Sequence, residues 1–198
     1  MTTASAADDR FRLLGGRPCL DLIATYGKRH AEGVERLVDN QTLLDWLIAA
    51  GVLPADAAAR PVDAGQLAAA RELREAINRL VRAAMADQPW AEADIDLVNA
   101  VAAGPDLAPH LGDRPGPDGG GTVAWGAGDP VDLALATLAR DAIGLLNGPR
   151  TVRIKECERP ECSLLFFDDS QSGRRRWCSM DRCGNLVKIA GYRQRARG

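Results

Sequence analysis

Two cysteine pairs of equal spacing constrain this chain more than any other feature. Cys157 and Cys162 bracket four residues, Cys178 and Cys183 bracket four more, and fifteen residues separate the pairs. Four thiols so arranged are the pattern of a closed, tetrahedral zinc site, with each pair forming one knuckle. Zinc takes soft thiolates readily and imposes no geometry of its own. Two disulfides would use the same cysteines, but nothing else suggests secretion. The opening MTTASAADDRFRLL has neither the basic nor the apolar region of a signal peptide. No apolar run reaches the roughly 18 residues that would span a membrane. A cytoplasmic chain keeps its thiols reduced, so paired cysteines there point to metal or redox chemistry. The C-x-x-C redox motif is missing, and so are the usual iron–sulfur spacings. Zn2+ in a cytoplasmic protein with no membrane partner is therefore the expectation.

The residues around the cysteines predict a small metal-nucleated unit. Thr151–Lys155 alternates, with Val152 and Ile154 on one face, and reads as a strand. Leu164–Phe167 is a second strand, closed by the turn-like run from Asp168 to Gly173. Arg174–Trp177 continues as a third extended piece. Asp181 is placed to cap a helix from about Arg182 through Leu186, Ile189 and Ala190 toward Arg197. Cys183 then falls in the first helical turn, where free N–H groups favour a thiolate. A hairpin knuckle followed by a helix-start knuckle is treble-clef-like.

The run Cys178 to Asn185, with its second C-x(4)-C followed by Gly184 and Asn185, resembles the CGNR zinc finger. Leu186 stands where that family has arginine. The segment from Leu14 to Thr25, L-G-G-R-P-C-L-D-L-I-A-T, is similar to the start of the ABATE domain that precedes this finger. Gly15, Gly16, Cys19, Leu20, Asp21 and Thr25 match that start, while Ala24 replaces its usual asparagine. The resemblance touches both ends of the chain and implies one family, with a role in stress-induced transcriptional regulation.

Length leaves room for one medium domain and one small one, with a core that needs no disulfides. The net charge of −2 hides an asymmetry. Residues 151–198 hold 11 Lys/Arg against 6 Asp/Glu, and residues 1–150 hold 14 against 21. A basic end on an acidic body is the footprint of a nucleic-acid-facing part, or simply a solvated small domain. The expected fold is α+β, mainly α: a helical body over 1–150 with a small β-hairpin, then a finger over 151–198. Within the body, Phe11–Leu14 reads as a strand ended by a Gly15-Gly16 turn, and Cys19–Tyr26 as a helix. Asp39-Asn40 caps a second helix carrying Leu43, Leu44, Leu47 and Ile48. Residues 55–62 form a linker. Asp63 opens the longest helix, to about Ala86, with Leu67, Ala70, Leu73, Ile77, Leu80, Val81 and Ala84 inward. Its arginines Arg71, Arg74, Arg79 and Arg82 mix with Glu72 and Glu75, mostly as a solvated face. A further helix spans Ala91–Ala103. His110–Leu111 and Thr122–Trp125 pair as a hairpin, and Gly128-Asp129-Pro130 opens the last body helix, which Gly148-Pro149 ends.

Few residues suggest catalysis. His30 and His110 lie outside any motif, no hydrolase, metalloprotease or kinase signature occurs, and four thiolates leave a zinc ion no open position for water. Cys19 reads as a small buried hydrophobe. Asp21, a carboxylate in an apolar run, needs a partner such as Arg17 or Arg29, or else faces a ligand cavity. Two functions remain. In one, a DNA-binding regulator contacts phosphates through Arg174, Arg175, Arg176, Arg193, Arg195 and Arg197, with Asn185 or Lys188 reading bases, while the body senses a small-molecule effector or forms a homodimer. In the other, the arginines decorate an exposed hairpin, Trp177 covers the zinc site, and the finger is a staple within a protein-interaction or small-molecule-binding module.

Overall fold

A computed structural model describes residues 10–55, 61–115, 120–125 and 127–189. The fold is mainly helical with three two-stranded antiparallel ladders. In chain order the elements are α1 (Pro18–Ala24), β1 (Tyr26–Gly27), β2 (Val34–Glu35), α2 (Asn40–Ala49), α3 (Ala64–Met85), α4 (Glu92–Ala102), β3 (Pro109–Pro115), β4 (Gly121–Trp125), α5 (Pro130–Leu146), β5 (Ile154–Glu156) and β6 (Leu165–Phe167). A last helix, α6, covers 180–189 and opens as a wide π-type turn over Met180–Gly184.

Helix α3 is the axis of the molecule and touches α1, α2, α4, α5 and β5. Its start is fixed by a capping box: Asp63 accepts from the Gln66 N–H at 2.8 Å, and Gln66 Oε1 accepts from the Asp63 N–H at 3.1 Å. Gln66 also donates to Asp129, which caps α5, so one amide joins two helix starts. Both α2 and α3 end in the same way. A residue in left-handed conformation (Gly51, φ 66°; Asp87, φ 51°) lets the next N–H reach back to Leu47 or Ala83. The predicted stripe of α3 is buried from Leu67 to Val81, together with side chains of α1, α2 and α5.

Helix α1 is short and borrows its cap. Pro18 opens it, Arg17 supplies no side-chain cap, and Asp141 of α5 accepts the Cys19 N–H at 3.0 Å. Arg17 pairs with the same carboxylate at 2.6 Å. The turn before α1 requires glycine for two reasons. A Cβ at Gly15 would lie 2.7 Å from Leu20 Cβ, and Gly16 has φ 73°.

Several expected elements are different. Phe11–Leu14 is not a strand; Phe11 is buried against the helices and no strand lies beside it among the described residues. The strand expected at Thr151–Lys155 begins only at Ile154, because Pro149–Arg153 forms a 3₁₀ turn that leaves Val152 81% exposed. Arg174–Trp177 pairs with no strand, although the Arg176 carbonyl accepts the Glu158 N–H. The start of α6 falls at Ser179, two residues before the expected Asp181 cap. Arg79 and Glu72 are on a solvated face, but Arg74 is not: it is 4% exposed, pairs with Glu35 at 2.7 Å and Glu75 at 2.8 Å, and stacks on Tyr26, which Arg29 also covers. The β1–β2 ladder that carries Glu35 to this network had no sequence signal beyond Tyr26 and Val34. The expected continuation of α6 to Ala190 and Arg197, and most of the 55–62 linker, lie outside the described residues.

Candidate metal centre

The four cysteines converge. Strands β5 and β6 pair Ile154 with Phe167, Lys155 with Phe166 and Glu156 with Leu165, so the chain turns back between them and forms the first knuckle. Cys157 N–H reaches the Leu164 carbonyl at 3.0 Å and Cys162 N–H the Arg159 carbonyl at 2.8 Å. The second knuckle is the π-type turn, where the Ser179 carbonyl accepts from both Cys183 and Gly184 at 3.0 Å. All four cysteines are buried and reduced, and their sulfurs lie within 4.8 Å of one another.

The sulfur spacing fits a tetrahedral ion. Bonds of about 2.3 Å to zinc imply sulfur–sulfur edges of about 3.8 Å. Cys162 to Cys178 is 3.9 Å and Cys178 to Cys183 is 3.5 Å. Crowding of the sulfurs drives the thiol pKa values apart. Hydrogen bonds from Cys162 and Cys178 hold the Cys157 thiol far below its ordinary range. Contact with Cys157 pushes Cys162 up to about 12, and Cys178 is raised by both neighbours. A divalent ion relieves this, because it binds thiolates and displaces their protons. No histidine competes: His30 instead bonds Glu156 at 2.6 Å, and His110 sits on β3.

Cations and an aromatic ring surround the cluster. Trp177 packs on it, together with Leu14 and Ala24 from the body. Arg159 pairs with Glu161 at 2.7 Å. The three consecutive arginines differ in what they do. Arg175 turns inward, donating to the carbonyls of Trp177 and Cys178 and lying 4.6 Å from the Phe166 ring centre. Arg176 pairs with Glu158 at 2.5 Å and covers the Trp177 ring. Arg174 is exposed, as are Asn185 and Lys188 on α6. Arg193, Arg195 and Arg197 lie outside the described residues.

Asp168 anchors the loop that carries the arginines. It is fully buried and accepts from Lys155 Nζ at 2.7 Å, the Ser170 hydroxyl and the Arg175 N–H at 2.9 Å. Burial alone would raise its carboxyl pKa, but these donors hold it well below the usual range. Nothing in the sequence distinguished Asp168 from its neighbour Asp169.

Asp21 accepts the Gly15 N–H at 2.7 Å and so braces the turn before α1. Arg17 pairs with Asp141, and Arg29 pairs with Glu75 at 2.7 Å. Cys19 is fully buried as expected, its thiol pKa raised by burial and by Asp141.

The finger is fastened to the body along one seam. Phe167 N–H bonds the Gly15 carbonyl at 2.8 Å, and Arg29 N–H bonds Ser163 Oγ at 2.9 Å. Glu156 takes both Arg82 at 2.9 Å and His30. Ile154 and Leu165 belong to the body's own core.

The family model ABATE, described as "Putative stress-induced transcription regulator", matches residues 16–149. The chain belongs to this family. Residues 153–196 match the CGNR zinc finger, so the four-cysteine centre is that of a family finger. No curated protein matches the chain. Among the described residues no ABATE helix is long and apolar enough to cross a membrane.

Proposed function

We propose that this ABATE protein is a cytoplasmic, zinc-containing transcriptional regulator. Its finger, from about residue 151, contacts duplex DNA, and its helical body senses a small-molecule effector or holds two copies together. The zinc ion is structural, since four thiolates close its coordination. The observation that carries the reading is the charge split between a basic finger and an acidic body. Arg174 and Lys188 are exposed and have no carboxylate partner among the described residues, so they are the primary phosphate contacts. Arg176 joins them if a phosphate displaces Glu158, and Arg193 is a further candidate. Asn185 is placed to meet a base edge, and Leu186 beside it contributes apolar contact only. Arg175 is assigned to the fold of the loop, and Asp21 to positioning α1.

The test is titration of labelled duplex DNA at several salt concentrations. Affinity should fall as salt rises, with a log–log slope of about −0.9 for each phosphate neutralised. Replacing Arg174 and Lys188 together by alanine should flatten the slope by about two such units and leave the melting temperature unchanged. Arg175→Ala should do the reverse, lowering thermal stability with little change in slope.

A specific observation favours a second reading. Helix α6 exposes Met180 (44%), Leu186 (47%), Val187 (36%) and Ile189 (46%). An apolar stretch of this kind suits a protein partner better than a phosphate backbone. Absence of DNA binding even at low salt would move the assignment to an interaction module stapled by zinc.

A further inference from the structure

Where the finger meets the body, the surface folds into a small cleft of about 20 Å³. Arg12, Lys28 and Arg36 line it from the body, and Glu161, Cys162 and Ser163 from the first zinc knuckle. Its cations are not balanced in the way the other buried cations of this protein are. Arg74 and Arg29 each have a carboxylate. Arg36 has only carbonyls, those of Ala24 at 3.2 Å and Val34 at 3.5 Å, and Arg12 has no ion pair among the described residues. The adjacent Glu35 is turned toward Arg74. Lys28 is held by Glu32, and Glu161 by Arg159 on the outer rim.

The backbone is shaped to bring these cations together. Arg36 lies flat on Gly27: a Cβ there would sit 2.4 Å from one terminal guanidinium nitrogen and 2.9 Å from the other. Three non-glycine residues have positive φ among the described residues, and two of them, Arg12 at 57° and Lys28 at 51°, line this cleft. Left-handed backbone at a bulky residue is unfavourable and tends to persist where a site requires it. Burial and the nearby Arg12 charge lower the Arg36 pKa below its ordinary value, against the opposing influence of Glu35 and Cys162. Ser163 is buried and its oxygen accepts from Arg29 N–H, which leaves its hydroxyl proton for another acceptor.

We propose that this cleft binds the oxyanion head group, phosphate or carboxylate, of a small molecule, gripped by Arg12 and Arg36 with Ser163 completing the set. Guanidinium forks match such groups in shape and charge. A ligand held there joins the body to the knuckle carrying Cys162, so its binding energy bears on how the finger is seated. The inference names the effector class within the sensing role proposed above, and its binding step does not depend on DNA.

The test uses the full-length, zinc-loaded protein with sodium phosphate and sodium acetate as probes. Melting temperature and calorimetric affinity are measured at constant ionic strength, with sodium chloride as the reference. At least one probe should raise the melting temperature above the chloride reference. Arg12→Gln and Gly27→Ala should each weaken that probe's affinity by about tenfold or more. The second variant is the sharper control, because it keeps every charge and only pushes the Arg36 guanidinium off its seat. Should one variant fail to fold, the other carries the test alone. No response to either probe overturns the proposal, and so does a response that both variants retain. A parallel DNA titration without probe separates the sources of the oxyanion. Arg12→Gln should leave DNA affinity and its salt slope unchanged, and a flattened slope would assign the cleft to the DNA backbone and overturn the small-molecule site. Phosphate binding by a protein that binds no DNA would leave this proposal standing while the regulator reading fell.

Discussion

Asp168 shows how much of the finger hangs on one side chain. Its carboxylate holds Lys155, Ser170 and the backbone of Arg175, and so sets the path of the chain between β6 and the second knuckle. The folded pKa is depressed, so its contribution to stability is complete above the ordinary carboxyl value of about 3.9 and is lost as pH falls through the folded value. Asp168→Asn should therefore lower the melting temperature at pH 7. The gap from the wild type should narrow steadily below about pH 4. A gap independent of pH would mean that the side chain acts by shape rather than by charge. Arg175, two residues beyond the loop it helps close, looks like any member of a basic triplet in the sequence. Only the positions of the Cys178 carbonyl and the Phe166 ring reveal that it faces inward.

Among the elements, α3 concentrates the buried charge. Arg74 is 4% exposed and serves two carboxylates brought from different directions, Glu35 on β2 and Glu75 on its own helix. Replacing Arg74 by methionine keeps the packing volume but strips Glu35 of its two-pronged partner and leaves Glu75 to Arg29, and should cost about 3 kcal/mol in urea unfolding. A loss below about 1 kcal/mol would class the network with surface ion pairs. The same helix shows what sequence could and could not provide. Its start at Asp63, its end near Ala86 and its apolar stripe were readable, because capping and 3.6-residue periodicity are local. The four cysteines were readable for the same reason: their spacing is local and their chemistry narrow. Arg74 was misplaced on the solvent face because its partner Glu35 is remote in sequence, on a two-residue strand too short for any pattern. The cap of α1 was invisible likewise, since Asp141 arrives from another helix. Val152 failed for a different reason. Its alternation with Ile154 was real, but the turn beginning at Pro149 took precedence over it.

At the scale of the whole molecule the finger and body are one structure. Metal analysis should find one zinc per chain, and chelation should reach beyond the finger. Hydrogen exchange after chelation should speed up in residues 154–189 and also from Gly15 to Ala24, where Gly15 bonds Phe167 and Ala24 packs on the cysteine cluster. Helices α2, α3 and α4 should keep their protection, since their core residues lie away from the metal. An α1 indifferent to chelation would show that the seam carries no energy. The bond between Gly15 and Phe167 also fixes an order of events during synthesis. The turn before α1 leaves the ribosome about 150 residues ahead of β6. At elongation rates of roughly 5–20 residues per second the earlier segment waits on the order of ten seconds for its cover. A message truncated between Leu146 and Leu165 would therefore release a chain with every described body helix present and the β6-facing side of α1 still bare.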